Sequence, residues 1–319
     1  MQQRPNILAA AQQATGHISD DDIAEIFSDT VILLSAPRSG STLLFEQMSV
    51  QGPYWTIGGE SHAIFRAFPH LRAEDAALSS MALDERHADE GTCRMMRRCF
   101  LMFLRDSSGV PWLSLPQVSR PKKLCFLEKT PRNALNIPFL LRVFPTARFL
   151  YLHRDPNQTV SSLIEAWGVG LQTGRFVTFN DLPQWHLPAW CFLLPRGWQE
   201  MRGKSIAEIA AFQWCSSNEA IISALTKLEA DRVLLTDYEG LVRDPAGSLA
   251  DIAASLGFVD HEAKPTTDRP AFSRTTVSKP GADKWKRHRA ALEPLSPILL
   301  QTQENIEAFC ENLHKGSAL

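Results

Sequence analysis

Four short apolar runs punctuate the chain: Val31–Ser35, Leu124–Leu127, Arg148–Leu152 and Val233–Thr236. They are rich in β-branched or aromatic side chains and show no polar alternation. Such runs suit strands covered on both faces, as in a parallel sheet. Each run precedes a helix signal. A Ser/Gly turn after the first opens into Thr42–Val50. Thr130-Pro131 after the second reads as an N-cap followed by an N1 proline. Asp155-Pro156 repeats that pairing before Val160–Trp167. Asp244-Pro245 repeats it again before Ala246–Leu256, which Gly257 ends. Four strand-then-helix units predict an α/β, P-loop-like three-layer fold with a central parallel sheet. Ligands of such sheets bind beyond the carboxyl ends of the strands.

Two segments interrupt the pattern. Residues 54–121 are mostly helical in character, most clearly over Arg94–Arg105. There Arg94, Arg97 and Arg98 read as a solvated face, with Met95, Met96, Phe100 and Leu101 turned inward. Residues 166–205 form an irregular, apolar stretch with Trp185, Trp190 and Trp198. Long segments of this kind serve as lids or substrate walls. We assign both as a helical and irregular substrate cap on a single domain spanning 1–319, with its core over about 29–290.

Composition narrows the function classes. With 44% hydrophobic and 21% charged residues in 319, the chain can build a sizeable core and is not disordered. A formal net charge of −2 argues against general nucleic-acid binding, yet leaves room for a local basic pocket. The cysteines at 93, 99, 125, 191, 215 and 310 form no C-x-x-C pair and no zinc spacing with histidine. They read as reduced thiols, and no metal is expected. The N-terminus lacks a signal-peptide pattern and no run reaches the length of a membrane span, so a cytoplasmic protein without a membrane span is expected. Oligomeric state has no signature in the sequence.

The first strand runs into Pro37-Arg38-Ser39-Gly40-Ser41-Thr42 and then a helix. A tight polar turn at a helix N-terminus directs backbone amides and positive potential at an anion. Arg38 adds a charged fork, and Gly40 permits close backbone approach. A Walker A loop would carry lysine where Ser41 stands, which weakens a P-loop-type small-molecule or nucleotide kinase reading. A non-catalytic nucleotide-binding protein on the same fold is the other rival. Arg154 leaves the third strand and Ser162 follows eight residues on, about two helical turns. If the chain folds back at Pro156, guanidinium and hydroxyl can meet on one phosphate.

These landmarks, with Leu127-Glu128-Lys129-Thr130-Pro131, Asp237–Pro245, Ser278-Lys279-Pro280 and Lys284-Trp285, fall in one order over residues 31–286. Together they resemble the sulfotransferases that use 3′-phosphoadenosine-5′-phosphosulfate (PAPS), in particular the soluble bacterial type and, more distantly, the tyrosylprotein sulfotransferases. The resemblance implies that Arg38, Ser39, Gly40, Ser41 and Thr42 hold the phosphosulfate, and that Arg154 and Ser162 hold the 3′-phosphate. It places Tyr238 near the nucleotide and Lys279 or Lys284 in a segment closing over the donor. The product nucleotide would be 3′-phosphoadenosine-5′-phosphate (PAP).

Sulfuryl transfer moves negative charge onto the leaving phosphate, and a fixed cation there favours the transition state. Lys129 and Arg38 are the candidates. Many cytosolic relatives place a base histidine shortly after the lysine; here Lys129 is followed by Thr-Pro-Arg-Asn. Gly58-Gly59-Glu60-Ser61-His62 resembles instead the glutamate segment of the tyrosylprotein enzymes. Glu60 is therefore assigned as general base and His62 as the alternative, with burial expected to raise the carboxyl above its reference value near 4.3. Glu128 is assigned as a partner of nearby cations, and His153 as a core or supporting group. The aromatic content of 165–200 points to an apolar or aromatic-bearing acceptor: a small molecule, a lipid, or an acyl chain on a carrier protein.

Overall fold

The computed structural model describes residues 6–73, 79–258, 273–277, 281 and 283–316. Helices α1 (Ile7–Thr15) and α2 (Asp20–Ile26) lead into β1 (Asp29–Leu34) and α3 (Ser41–Gln51). Next come β2 (Tyr54–Trp55), α4 (His62–Ala67), α5 (Glu90–Phe103), β3 (Cys125–Lys129), α6 (Ile137–Val143), β4 (Arg148–His153) and α7 (Pro156–Thr173). After them lie β5 (Val177–Phe179), β6 (Trp190–Cys191), α8 (Ile206–Leu225), β7 (Val233–Asp237), α9 (Tyr238–Arg243) and α10 (Pro245–Ser255). Helices α11 (Arg289–Leu292) and α12 (Ser296–Gly316) close the chain.

All four strands expected from the apolar runs form, and they pair in parallel in the order β2-β3-β1-β4-β7. The fifth, β2, is a two-residue edge strand too short to leave a pattern in the sequence. Alternate side chains of the central strands point to opposite faces. Ile32, Leu34, Phe126, Phe149 and Tyr151 enter one core with α5, α6 and α8. Val31, Leu33, Leu127, Leu150 and Leu152 enter the other with α3 and α10. Burial on both faces explains why the strands read as unbroken apolar runs. The result is the expected three-layer α/β fold.

The helix entries follow the chemistry read from the sequence in two cases of three. Asp155 accepts from the Gln158 amide at 2.8 Å and Asp244 from the Gly247 amide at 3.0 Å, each with proline at N1. Thr130 does not cap. Its hydroxyl donates to Glu128 Oε1 at 2.7 Å, and the turn after Pro131 is a 3-10 segment before α6 begins at Ile137.

The arginines of α5 also depart from expectation. Arg98 is buried and donates to the carbonyls of Thr15 and Ile18 and to the Asp20 carboxylate. Arg97 donates to Val143 O at 2.8 Å, while Arg94 stays half exposed near Asp20 and Glu90. Two of these three charges therefore tie α5 to neighbouring segments rather than forming a solvated face. Between 166 and 205 an antiparallel ribbon, β5 with β6, forms where irregular chain was expected. Trp167, Trp190 and Trp198 pack with it into a third apolar cluster, joined at its rim by Trp185. Among the described residues no helix is long and apolar enough to cross a membrane.

Candidate active site

A cavity of about 400 Å³ opens at the carboxyl ends of β1, β3 and β4. Its floor is the loop from β1 to α3. Arg38 and Gly40 both take positive φ, +70° and +102°, which curls the chain around the helix N-terminus. A Cβ on Gly40 would overlap the ring of Tyr238, so only glycine fits both the backbone and the close ring. Ser41 and Thr42 open α3 beside it, and the first-turn amides of this eleven-residue helix face the same end. Gly40, Ser41 and Thr42 line the cavity, whereas the Ser39 side chain is buried behind the loop.

Arg38 crosses the cavity. Its Nε donates to Ser162 Oγ at 3.3 Å and its Nη1 to Thr275 O at 2.8 Å, with the guanidinium 5.5 Å from the centre of the Phe176 ring. Burial, with the like charges of Arg154 and Arg175, lowers its pKa to about 10. Arg154 comes off β4 as expected and lies over the Tyr238 ring at 3.9 Å. It donates to Arg38 O at 3.2 Å and to Gln158 Oε1 at 3.0 Å. Arg154 and Ser162 thus share one corner, with Arg38 inserted between them. The Nε of Arg154 and the Oγ of Ser161 are buried there and make no hydrogen bond. Buried polar atoms without partners call for one, and at a cavity wall an ordered water or a ligand group can supply it.

Lys129 ends β3 and is 1% exposed. Its Nζ donates to Glu60 Oε1 at 2.6 Å and to Thr42 Oγ1 at 3.0 Å. The other oxygen of Glu60 meets His62 Nε2 at 3.1 Å. Burial alone would raise the Glu60 carboxyl, but the His62 bond and the Lys129 ammonium outweigh it and hold it at about 2. The expected upward shift is therefore reversed. Glu128 also differs from expectation. It is fully buried, accepts from Ser61 and Thr130 hydroxyls at 2.6 and 2.7 Å and from the Asn133 amide, and burial raises its pKa. Hydroxyls and an amide, not cations, form its immediate partners.

Lys284 lines the cavity and pairs with Glu165 of α7 at 2.6 Å. Lys279 lies outside the described residues. Several cavity residues escaped the sequence reading. Ser161 and Gln158 sit on the α7 turns that carry Ser162, so the helical repeat could have flagged them. Phe176 and Phe192 stack at 5.1 Å on the ribbon and face the cavity. The tryptophans of the same segment serve its own core instead.

Among solved structures, the sulfotransferase domain from the Synechococcus PCC 7002 olefin synthase is 22% identical, over 81% of this chain and 86% of that one, with a TM-score of 0.43. The sulfotransferase domain from the curacin biosynthetic pathway is 19% identical, over 82% and 96%, with a TM-score of 0.42. A sulfotransferase from Mycobacterium tuberculosis H37Rv is 13% identical, over 92% and 80%, with a TM-score of 0.48. No curated protein matches the chain. Residues 30–262 match the model of the sulfotransferase family, and the chain belongs to that family.

Proposed function

We propose that the chain transfers a sulfuryl group from PAPS to a hydroxyl of an apolar small molecule, a lipid or a carrier-bound acyl chain. The observation that carries this reading is the corner where Arg154 Nε and Ser161 Oγ lie buried without partners beside Ser162, next to the amide-lined loop over Arg38 and Gly40. An anion at each place suits an adenine nucleotide that bears a 3′-phosphate as well as a 5′-phosphosulfate. Family membership supports the same donor.

When bound, the donor supplies a sulfuryl group on a phosphate leaving group, and the acceptor oxygen takes that group as it loses its proton. The loop over Arg38 to Thr42 would hold the 5′ end, and Arg154, Ser161 and Ser162 the 3′ end. Tyr238, which lines the cavity beside Gly40, would pack against the nucleotide. Lys284 and, by resemblance alone, Lys279 would close over the donor.

Lys129, almost wholly buried, donates to the loop's Thr42 hydroxyl and is placed to offset charge developing on the leaving oxygen. Arg38 assists. Glu60 takes the acceptor proton, with His62 orienting the carboxylate or serving as the alternative base. A carboxylate held at about 2 is ionised at neutral pH but weakly basic. Drawing Lys129 toward the phosphosulfate would remove one of the two groups that depress it. The reading takes 1–319 as one catalytic domain working in the cytoplasm, where the six free thiols stay reduced. The test is transfer of label from sulfur-35 PAPS to a panel of hydroxyl acceptors, with label from γ-phosphate ATP as the kinase control. Transfer from ATP alone would replace this reading with the kinase one.

A further inference from the structure

Glu128 is buried, does not line the cavity and has no part in the reaction as read above. A carboxyl group is costly in such a place, and an apolar side chain would serve packing better. The register of β3 shows what surrounds it. Ile32 lies beside Glu128 and Leu33 beside Lys129, and these two partners enter opposite cores of the sheet. Glu128 and Lys129 therefore leave the end of β3 on opposite faces. Glu60 and Ser61, consecutive in the loop before α4, straddle that end. Glu60 Oε1 accepts from Lys129 Nζ at 2.6 Å, and Ser61 Oγ donates to Glu128 Oε1 at 2.6 Å. The Ser61 amide donates to Thr130 Oγ1 at 2.8 Å, and that hydroxyl donates to the same Glu128 oxygen at 2.7 Å. The Asn133 amide donates to the other oxygen.

Two features separate this node from ordinary packing. Ser61 occupies the N-cap of α4 but makes no capping bond, because its hydroxyl goes to Glu128. The usual local use of a capping serine is given up. Upstream, Gly58 and Gly59 lend the chain freedom rather than restraint, with Gly58 at φ +75°. Ser61 is thus the anchor between Glu60 on one side and His62 on the other. Resting on the assignment of Glu60 and Lys129 to sulfuryl transfer, we propose that Glu128 is a positioning residue for that pair. Through Ser61 and Thr130 it fixes the turn from which Glu60 and His62 leave, and so holds the Glu60 carboxylate between Lys129 and His62. Glu128 touches neither donor nor acceptor and acts through the loop.

The test is a carboxyl NMR titration of the full chain labelled with carbon-13 glutamate, with Glu60→Gln assigning the Glu60 signal. His62 on α4 and Lys129 and Glu128 on β3 are the titratable groups that act on Glu60. In wild type it should titrate at about 2, where His62 and Lys129 hold it. Ser61→Ala and Glu128→Gln should each raise it by about one pH unit or more toward its ordinary 4.5. Removing a like charge at 128 would by itself lower the Glu60 value, so a rise reports lost position. Leu140→Ala, a truncation in the core that Ile32 also enters, is the control for general loosening and should leave Glu60 at about 2. Should Glu128→Gln fail to fold, Ser61→Ala carries the test, because it removes one hydroxyl and keeps the carboxyl. Glu60 still at about 2 in Ser61→Ala, or raised as much by Leu140→Ala, overturns the proposal. The titration needs neither donor nor acceptor, so its failure and that of the sulfuryl-transfer reading are seen separately.

Discussion

Lys129 Nζ lies 2.6 Å from Glu60 Oε1, so the cation assigned to the leaving group and the carboxylate assigned to the acceptor proton are directly paired. The pair joins β3 to the loop before α4, and Thr42 at the start of α3 shares the same ammonium. Two opposite charges of the candidate site thus hold each other in place at the sheet's carboxyl edge. A substitution at one must be felt at the other.

Lys129→Met should lower kcat roughly a hundredfold, the usual cost of removing one preorganised electrostatic stabiliser. It should also release Glu60 upward from about 2, because burial then acts against one fewer opposing charge. Steady-state kinetics and a carboxyl NMR titration read the two effects separately. Normal kcat with weakened donor binding would make Lys129 a binding group only.

Glu60→Gln should cost roughly a hundred- to ten-thousand-fold in kcat, the range for a general base. Affinity for PAP should stay within about twofold, since the amide keeps the size of the side chain. His62→Ala should be milder. Near-normal turnover in Glu60→Gln with none in His62→Ala would transfer the base role to the imidazole.

The pH dependence follows from the direction of the Glu60 shift. Its pKa is depressed from 4.5 to about 2, so its contribution to stability is present above 4.5 and is lost as pH falls toward 2. Melting of wild type and Glu60→Gln should converge on acidification through that window. If the carboxylate is the base, activity should show no acid limb above about pH 5, because Glu60 stays ionised there. A limb well above that pH would contradict Glu60 as the base.

Much of the fold was legible because the strands are covered on both faces and the helices start with Asp-Pro pairs. Arg148–Leu152 matches β4 to within one residue and Val31–Ser35 matches β1 to within two. The edge strand β2 and the β5–β6 ribbon were not legible, since two or three residues give no period and the pairing is set by distant packing. The loop residues of the candidate site lie together because they follow strand ends. The sign of the Glu60 shift comes from His62, two positions on, whose bond to the carboxylate the sequence does not show, and from Lys129, 69 positions away. Arg98 misled because its acceptors, from Thr15 at the end of α1 to Asp20 at the start of α2, lie 78 to 83 positions earlier.

Gly40→Ala tests the loop. A side chain at φ +102° is strained, and its Cβ would push the Tyr238 ring off the loop. Positions of this kind cost about 1–3 kcal/mol when occupied by a side chain. PAP affinity should fall at least tenfold, with a modest loss of melting temperature. Unchanged affinity would mean that the loop backbone does not hold the nucleotide.

The central claim is that the Arg154, Ser161 and Ser162 corner takes a 3′-phosphate, and equilibrium calorimetry with PAP against AMP tests it most directly. Losing contacts to one charged group typically costs about 1.5–3 kcal/mol, roughly ten- to a hundredfold in affinity. PAP should exceed AMP by that margin in wild type, and Arg154→Ala should bring the two together. Equal affinity for PAP and AMP in the wild-type protein would contradict the account.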